Sequence, residues 1–207
     1  MGNAHALPIV GKVVIDLTNG PIHISSGPGS NPNSMCLTMI SNILEEGGKV
    51  IWVARRLTDS QKSLDILGHL QEKERDRMMI IEFGENLEEN SKNIKKIIPL
   101  LKKRDLLIVE DWCESYGRVK AKDANIMVDF TKINKDLQII ITSNSYEDAS
   151  GQKRGLDGWM VRGEKALLGA YRTVWMTKVQ EQFQKVIITD GDSQKLVLLT
   201  QNGFKNT

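Results

Sequence analysis

From residue 12 onward the chain alternates short runs rich in β-branched residues with longer stretches of helical periodicity. That alternation is the pattern of strands joined by helical crossovers, which forces a mainly parallel sheet with helices on its faces. Two of the runs, Asp105 to Asp111 and Leu137 to Thr142, are almost continuously apolar rather than alternating. A strand of that kind must be covered on both faces, so both are expected near the centre of the sheet.

The remaining elements follow in order. Val13 to Leu17 and Ile22 to Ser25 flank an Asn19-Gly20-Pro21 turn and are expected to form a short hairpin or strand entry. Met35 to Glu46 carries apolar residues at helical spacing and stops at Gly47-Gly48. Lys49 to Ala54 and Met78 to Phe83 read as strands, with an amphipathic helix from Ser60 to Glu74 between them. A lysine-rich helix over 87–104 contains Pro99, which should kink or split it. A helix over 122–134 precedes the Leu137 strand, and a polar, glycine-rich stretch runs from Asn144 to Gly163. Strands over 171–179, 184–189 and 195–200 then predict an antiparallel C-terminal extension. The fold class is α/β, in one domain spanning 1–207, a size that allows one sizeable core.

Composition narrows the function classes. Hydrophobic residues make up 40% and charged residues 26%, the balance of a soluble globular protein. The net charge of +2 gives no global attraction to nucleic acid, so any basic surface must be local. Cys36 and Cys113 lie far apart, and no apolar run approaches the roughly 18 residues that span a bilayer. A reduced, cytoplasmic protein is the expectation. His5, His23 and His69 are scattered without ligand spacing, so no metal site is expected.

Gly27 to Ser34 reads Gly-Pro-Gly-Ser-Asn-Pro-Asn-Ser and sits where a nucleotide-binding chain carries GxxxxGK[ST]. In the full pattern backbone N–H groups and a lysine hold phosphates while a hydroxyl holds magnesium. Here Gly27 and Gly29 remain, Pro32 replaces the glycine before the lysine, Asn33 replaces the lysine, and Ser34 keeps the hydroxyl. Proline has no N–H to donate and asparagine no full charge, so tight triphosphate binding is not expected. About 75 residues on, an apolar strand ends in Glu110-Asp111, a carboxylate pair placed where magnesium would be met through water.

In this order of segments the chain resembles the RecA/RadA recombinase superfamily. Ser115-Tyr116-Gly117-Arg118 looks like the opening of a first DNA-binding loop, and Ile139 to Tyr146 like the strand before a second, for which 151–163 would stand. Tyr171 to Lys178 and Leu196 to Phe204 resemble the last strands of the core. The resemblance spans nearly the whole chain and implies a RecA-like core, with a layout similar to the short, core-only paralogues of archaeal RadA. It also exposes a departure, because the strand Lys49 to Ala54 ends in Arg55-Arg56 where the family has a catalytic glutamate. Arginine stays protonated and offers only donors, so it cannot position water as a base.

With both hydrolytic positions replaced, the resemblance implies a pseudo-ATPase without catalytic residues and without a tightly held cofactor, weak ATP and magnesium binding being the most that remains. The implied role is an accessory or mediator in homologous recombination and DNA repair, assembling with recombinase-like subunits as a homo- or hetero-oligomer. Its candidate nucleic-acid contacts are Arg118, Lys120, Lys122, Lys153, Arg154, Arg162 and Lys165; between 151 and 178 six Lys or Arg face two acids. Flexible basic loops neutralise phosphates, and Tyr146 or Trp159 could stack on an unpaired base. Trp52, Trp112 and Trp175 are all read as core residues, Trp112 being the best candidate among them for an interface anchor. Two other classes stay open: a working ATPase of the KaiC-related or archaeal-motility kind with an altered loop, and a structural RecA-fold subunit serving RNA or protein.

Overall fold

A computed structural model describes residues 15–57, 59–150, 154–180, 182 and 184–207. The elements in chain order are β1 (Ile22–Ser26), α1 (Pro32–Glu45), β2 (Val50–Ala54), α2 (Ser60–Leu67), α3 (Glu72–Arg75), β3 (Met78–Glu82), α4 (Leu87–Ile97), β4 (Leu106–Glu110) and α5 (Ala121–Ile133). They are followed by β5 (Gln138–Asn144), β6 (Tyr146–Glu147), β7 (Trp159–Met160), α6 (Glu164–Leu167), β8 (Arg172–Lys178), β9 (Lys185–Asp190), β10 (Ser193–Thr200) and β11 (Gly203–Asn206). Nine strands form one sheet in the order β11-β10-β9-β8-β1-β5-β4-β2-β3, and β6 pairs with β7 beside it.

From β3 to β8 every pairing is parallel, and from β8 to β11 every pairing is antiparallel. The α/β architecture with its antiparallel extension is therefore present as expected. The pairing of β1 with both β5 and β8 replaces the expected hairpin. Ile15 to Leu17 lie outside any strand, Asp16 instead accepting from the Thr18 N–H at 2.8 Å to build a turn, and Val13 lies outside the described residues.

Alternation sorts the central strands between two cores. Leu106, Ile108 and Ile140 face α1 and α2, while Leu107, Val109, Ile139 and Ile141 face α4 and α5. Both sides of β4 and β5 are thus covered, which is why their sequences lack polar alternation.

Two expected helices are divided, each for a local reason. Gly68 closes α2 while the Glu74 carboxylate accepts from the Gln71 N–H at 2.8 Å to start α3. Pro99 falls in a 3-10 turn, Ile98–Leu100, that ends α4, since proline cannot extend the helical hydrogen-bond ladder.

The antiparallel strands close the sheet onto α1. Thr38 Oγ1 accepts from the Phe204 N–H at 3.0 Å and donates to the Ser34 carbonyl at 2.7 Å, docking β11 on the helix. Gly203 makes this possible with φ of 96°, and a Cβ there would lie 2.4 Å from Thr38 Oγ1. A Gly203→Ala substitution is expected to cost about 2 kcal/mol through strain and the lost dock, read as a lowered urea midpoint.

Candidate functional site

Because the strands from β3 to β8 run parallel, their carboxyl ends share one edge, the place where open α/β sheets bind ligands. The loop after β1, the ends of β2 and β4, and the segments after β4, β5 and β8 all meet there. Every described candidate residue from the sequence lies on or just beyond this edge.

The loop after β1 is tied down by backbone bonds. The Gly27 N–H donates to the Met176 carbonyl of β8 at 2.8 Å, and Ser30 Oγ donates to the Gly27 carbonyl at 2.8 Å. Asn31 precedes α1 in the left-handed conformation, φ 58°, and Pro32 fills the first helical position, where its missing N–H costs nothing. Pro32 therefore starts the helix. Helix α1 has neither a side-chain cap nor an acid in its first turn. Ser34 is fully buried and its hydroxyl has no partner among the described residues.

Two lysines that sequence reasoning missed converge on this loop. Lys62 of α2 donates to Asn31 Oδ1 at 3.5 Å, and the side chain of Lys178, at the end of β8, runs within 3.1 Å of where a Cβ on Gly29 would stand. Neither position is in the motif, and only the packing of α2 and β8 around the loop brings them there. Gly27 and Pro28 also share a cleft of about 370 Å³ with Trp159, Thr177, Lys178 and Gln180.

Glu110 ends β4 inside the fold, at 1% exposure. Its Oε2 accepts from Trp52 Nε1 at 2.8 Å, and Oε1 has no partner among the described residues. Burial pushes its pKa up to about 7; the Trp52 bond opposes this, Asp111 adds to it, and Lys62 lowers it. Asp111 adopts φ 51°, which turns it out of the strand, and its pKa is also raised by burial and held back by Arg55.

Arg55, at the end of β2, is fixed rather than poised. Its Nε donates to the Asp111 carbonyl at 3.0 Å, and one Nη donates to the Gly84 carbonyl at 3.2 Å and to Glu114 at 2.7 Å. Glu85 lies 3.5 Å away, and the guanidinium stacks 5.1 Å from the Phe83 ring centroid. Its side chain is only 14% exposed, so this ion pair is well shielded. Arg55, Asp111, Glu114 and Asn144 line a polar cleft of about 310 Å³.

The segments after β4 and β5 join into one surface. Arg162 is 8% exposed, donates to the Gly117 carbonyl at 3.0 Å and to the Ser115 carbonyl, and lies over the Tyr146 ring. It ties the two segments together, so the expectation that it projects toward a ligand is corrected. Arg154 chelates Asp148 with bonds of 3.0 and 3.1 Å, and Lys122 pairs with Glu88 at 3.0 Å. Arg118, Lys120 and Lys165 are exposed, and Lys153 lies outside the described residues. A groove of about 470 Å³ runs between Val119, Ala124, Tyr146, Arg154, Met160 and Lys165.

Trp112 is fully buried, in the core role read for it, and does not serve as the alternative interface anchor. Its Nε1–H donates to His23 Nε2 at 3.3 Å, and Ser143 Oγ stands 2.8 Å from the same nitrogen. Indole can only donate, so Nε2 accepts and the imidazole is neutral; burial lowers its pKa to about 3. Among the described residues no three His, Cys, Asp or Glu converge, and no helix is long and apolar enough to cross a membrane.

The raised pKa of Glu110 fixes a pH dependence. The native state holds a proton that the unfolded state releases above the ordinary value of 4.5, so stability falls as pH rises from 4.5 through 7. Glu110 alone thus removes on the order of 3 kcal/mol across that window, while His23, whose lowered pKa acts with the opposite sign, adds stability as pH rises toward 6.5. Glu110→Gln, which keeps an acceptor for Trp52, removes the Glu110 contribution, so its stability relative to wild type should rise between pH 4.5 and 7 in urea melts.

No family model matches the sequence, and no curated protein matches it. Solved structures do match. The chain is similar to the RadB recombinase, with a TM-score of 0.68 and 10% identity over 92% of this chain and 91% of that one. It is also similar to the flagellar accessory protein FlaH from Methanocaldococcus jannaschii, with a TM-score of 0.61 and 14% identity over 92% and 90% of the two chains. At these identities the likeness concerns the fold, and the fold is RecA-like.

Proposed function

We propose that this protein is a RecA-fold subunit that does not hydrolyse ATP and that acts as an accessory or mediator in homologous recombination or DNA repair. The observation that carries the reading is the Arg55 clamp. Where the resemblance calls for a carboxylate to orient water, a guanidinium is bound to the Asp111 carbonyl and to Glu114. A carboxylate there would meet those oxygens with repulsion, so the position serves structure. The missing lysine at Asn33 acts in the same direction, because charge developing on a transferring phosphoryl group needs a fixed cation.

The exposed Arg118, Lys120 and Lys165, beside the Tyr146 groove, supply the local basic surface that single-stranded DNA requires. Assembly with other recombinase-like subunits completes the role, and the likeness to the RadB recombinase supports the pathway.

A second reading has its own support. Buried Ser34 and Glu110, with Lys62 and Lys178 beside the loop, fit a nucleotide held weakly or turned over through displaced cations. The likeness to FlaH favours the motility class for that reading.

Two measurements decide between them. Purified protein should show no ATP turnover above background, and a rate on the order of 1 per second, lost in Glu110→Ala, selects the second reading. For DNA, Arg118→Ala with Lys120→Ala should weaken single-strand binding and reduce the salt slope by roughly 1.4. Arg154→Ala, whose guanidinium is already held by Asp148, should change that slope less. An unchanged slope in the double variant removes DNA as the client.

A further inference from the structure

Arg162 carries a charge that the described residues leave unmatched. The residue is 8% exposed, and a buried cation is costly unless an anion pairs with it. Two of its nitrogens donate to the Gly117 and Ser115 carbonyls, while Nε has no partner among the described residues. Carbonyl dipoles orient a guanidinium without cancelling its charge. The acids on the same segments are engaged elsewhere or turned to solvent. Asp148 is held by Arg154 and Glu114 by Arg55, and Glu147, Asp157 and Glu164 are exposed.

The same side chain lines a cleft of about 410 Å³ with Gly117, Arg118, Val119, Tyr146 and Gly163. None of these described lining residues is acidic, and exposed Arg118 adds a second cation. Gly117 and Gly163 take positive φ, 70° and 69°, so two positions of the wall present backbone alone. Across Tyr146 the cleft adjoins the groove of about 470 Å³, with which it shares Val119, Tyr146 and Gly163. Ala124, Met160 and Val161 make much of the far wall apolar. The Tyr146 ring is 41% exposed and backed on one face by the Arg162 guanidinium, 5.2 Å from its centroid. Its other face is left for a flat ligand. Pockets for small ligands run from roughly 300 to 1,000 Å³, so both spaces are large enough.

We propose that these adjoining clefts hold one mononucleotide unit, its phosphate beside Arg162 and Arg118 and its base against Tyr146. A bare anion would leave the apolar groove empty, and a flat apolar ring would leave the charge unmatched. A nucleotide answers both, since a phosphate suits a guanidinium and every base has a face to stack. The unit comes from a free nucleoside monophosphate or from one nucleotide of a single strand. Where the strand is the source, the inference rests on the DNA reading; for the free nucleotide it stands alone. None of the residues lining the cleft belongs to the loop after β1.

Calorimetry with dAMP, deoxyadenosine and inorganic phosphate tests the site. dAMP should bind roughly tenfold more tightly than either fragment, and Tyr146→Leu should weaken it about tenfold with an unchanged circular dichroism spectrum. Arg162→Gln should abolish the advantage of dAMP over deoxyadenosine. Because Arg162 also ties two loops, photolabelling of the wild-type protein with 5-iodo-dUMP supplies a test without a variant. The label should fall on Tyr146 and not on residues 27–34. Oligothymidylate then identifies the source. Displacement of dAMP makes the strand the source, and strand binding that leaves dAMP in place assigns the site to the free nucleotide while DNA binds elsewhere. No strand binding, with dAMP still bound, removes DNA as the client and keeps the site. The proposal is overturned by dAMP binding no tighter than deoxyadenosine, by a label outside the groove, or by unchanged affinity in Tyr146→Leu.

Discussion

Covering β4 and β5 on both faces is the constraint from which the rest of the molecule follows. Once Leu106 to Val109 and Ile139 to Ile141 face two apolar cores, polar chemistry has no place along those strands except at their ends. Glu110, Asp111 and Asn144 sit at that limit, and the loop after β1 arrives beside them because β1 runs parallel to β5. Any site built on this sheet is therefore gathered at one edge by packing, whatever its chemistry.

Within the edge, the carboxylates and the guanidinium divide the roles. Glu110 is drawn inward and its pKa pushed up by desolvation, whereas Arg55 binds a carboxylate and two carbonyls. Arginine suits that task because its fork satisfies several acceptors at once. The outcome is a firmly cross-linked rim where β2, β3 and β4 end, beside a loop with cations approaching from α2 and β8.

Much of this was legible in the sequence. Continuous apolar runs marked the central strands, and Pro99 marked the break in the 87–104 helix. The loop, Arg55 and Glu110-Asp111 could be picked out by order and residue type alone. What escaped depends on distant pairing. The partnership of β1 with β8 is set by packing more than a hundred residues away, so the local Asn19-Gly20-Pro21 turn pointed instead to a hairpin. The arrival of Lys62 and Lys178 at the loop leaves no trace in spacing. Exposure was similarly hidden for Arg162, which looks like a surface contact by residue type yet binds two loop carbonyls, whereas the core reading of Trp112 holds where its indole lies against His23. β11 was missed as a separate strand because its four residues are held by Thr38 rather than by a long pattern of their own.

The Arg55 clamp also bears on how such a chain can change over generations. Replacing it with glutamate would place three carboxylates, including Glu85 and Glu114, around one point and leave the Asp111 and Gly84 carbonyls without their donor. Such a substitution loosens the rim whatever residues stand at 32 and 33, so position 55 is held by its packing rather than by any one partner. Variation at this edge is therefore confined to residues outside the clamp.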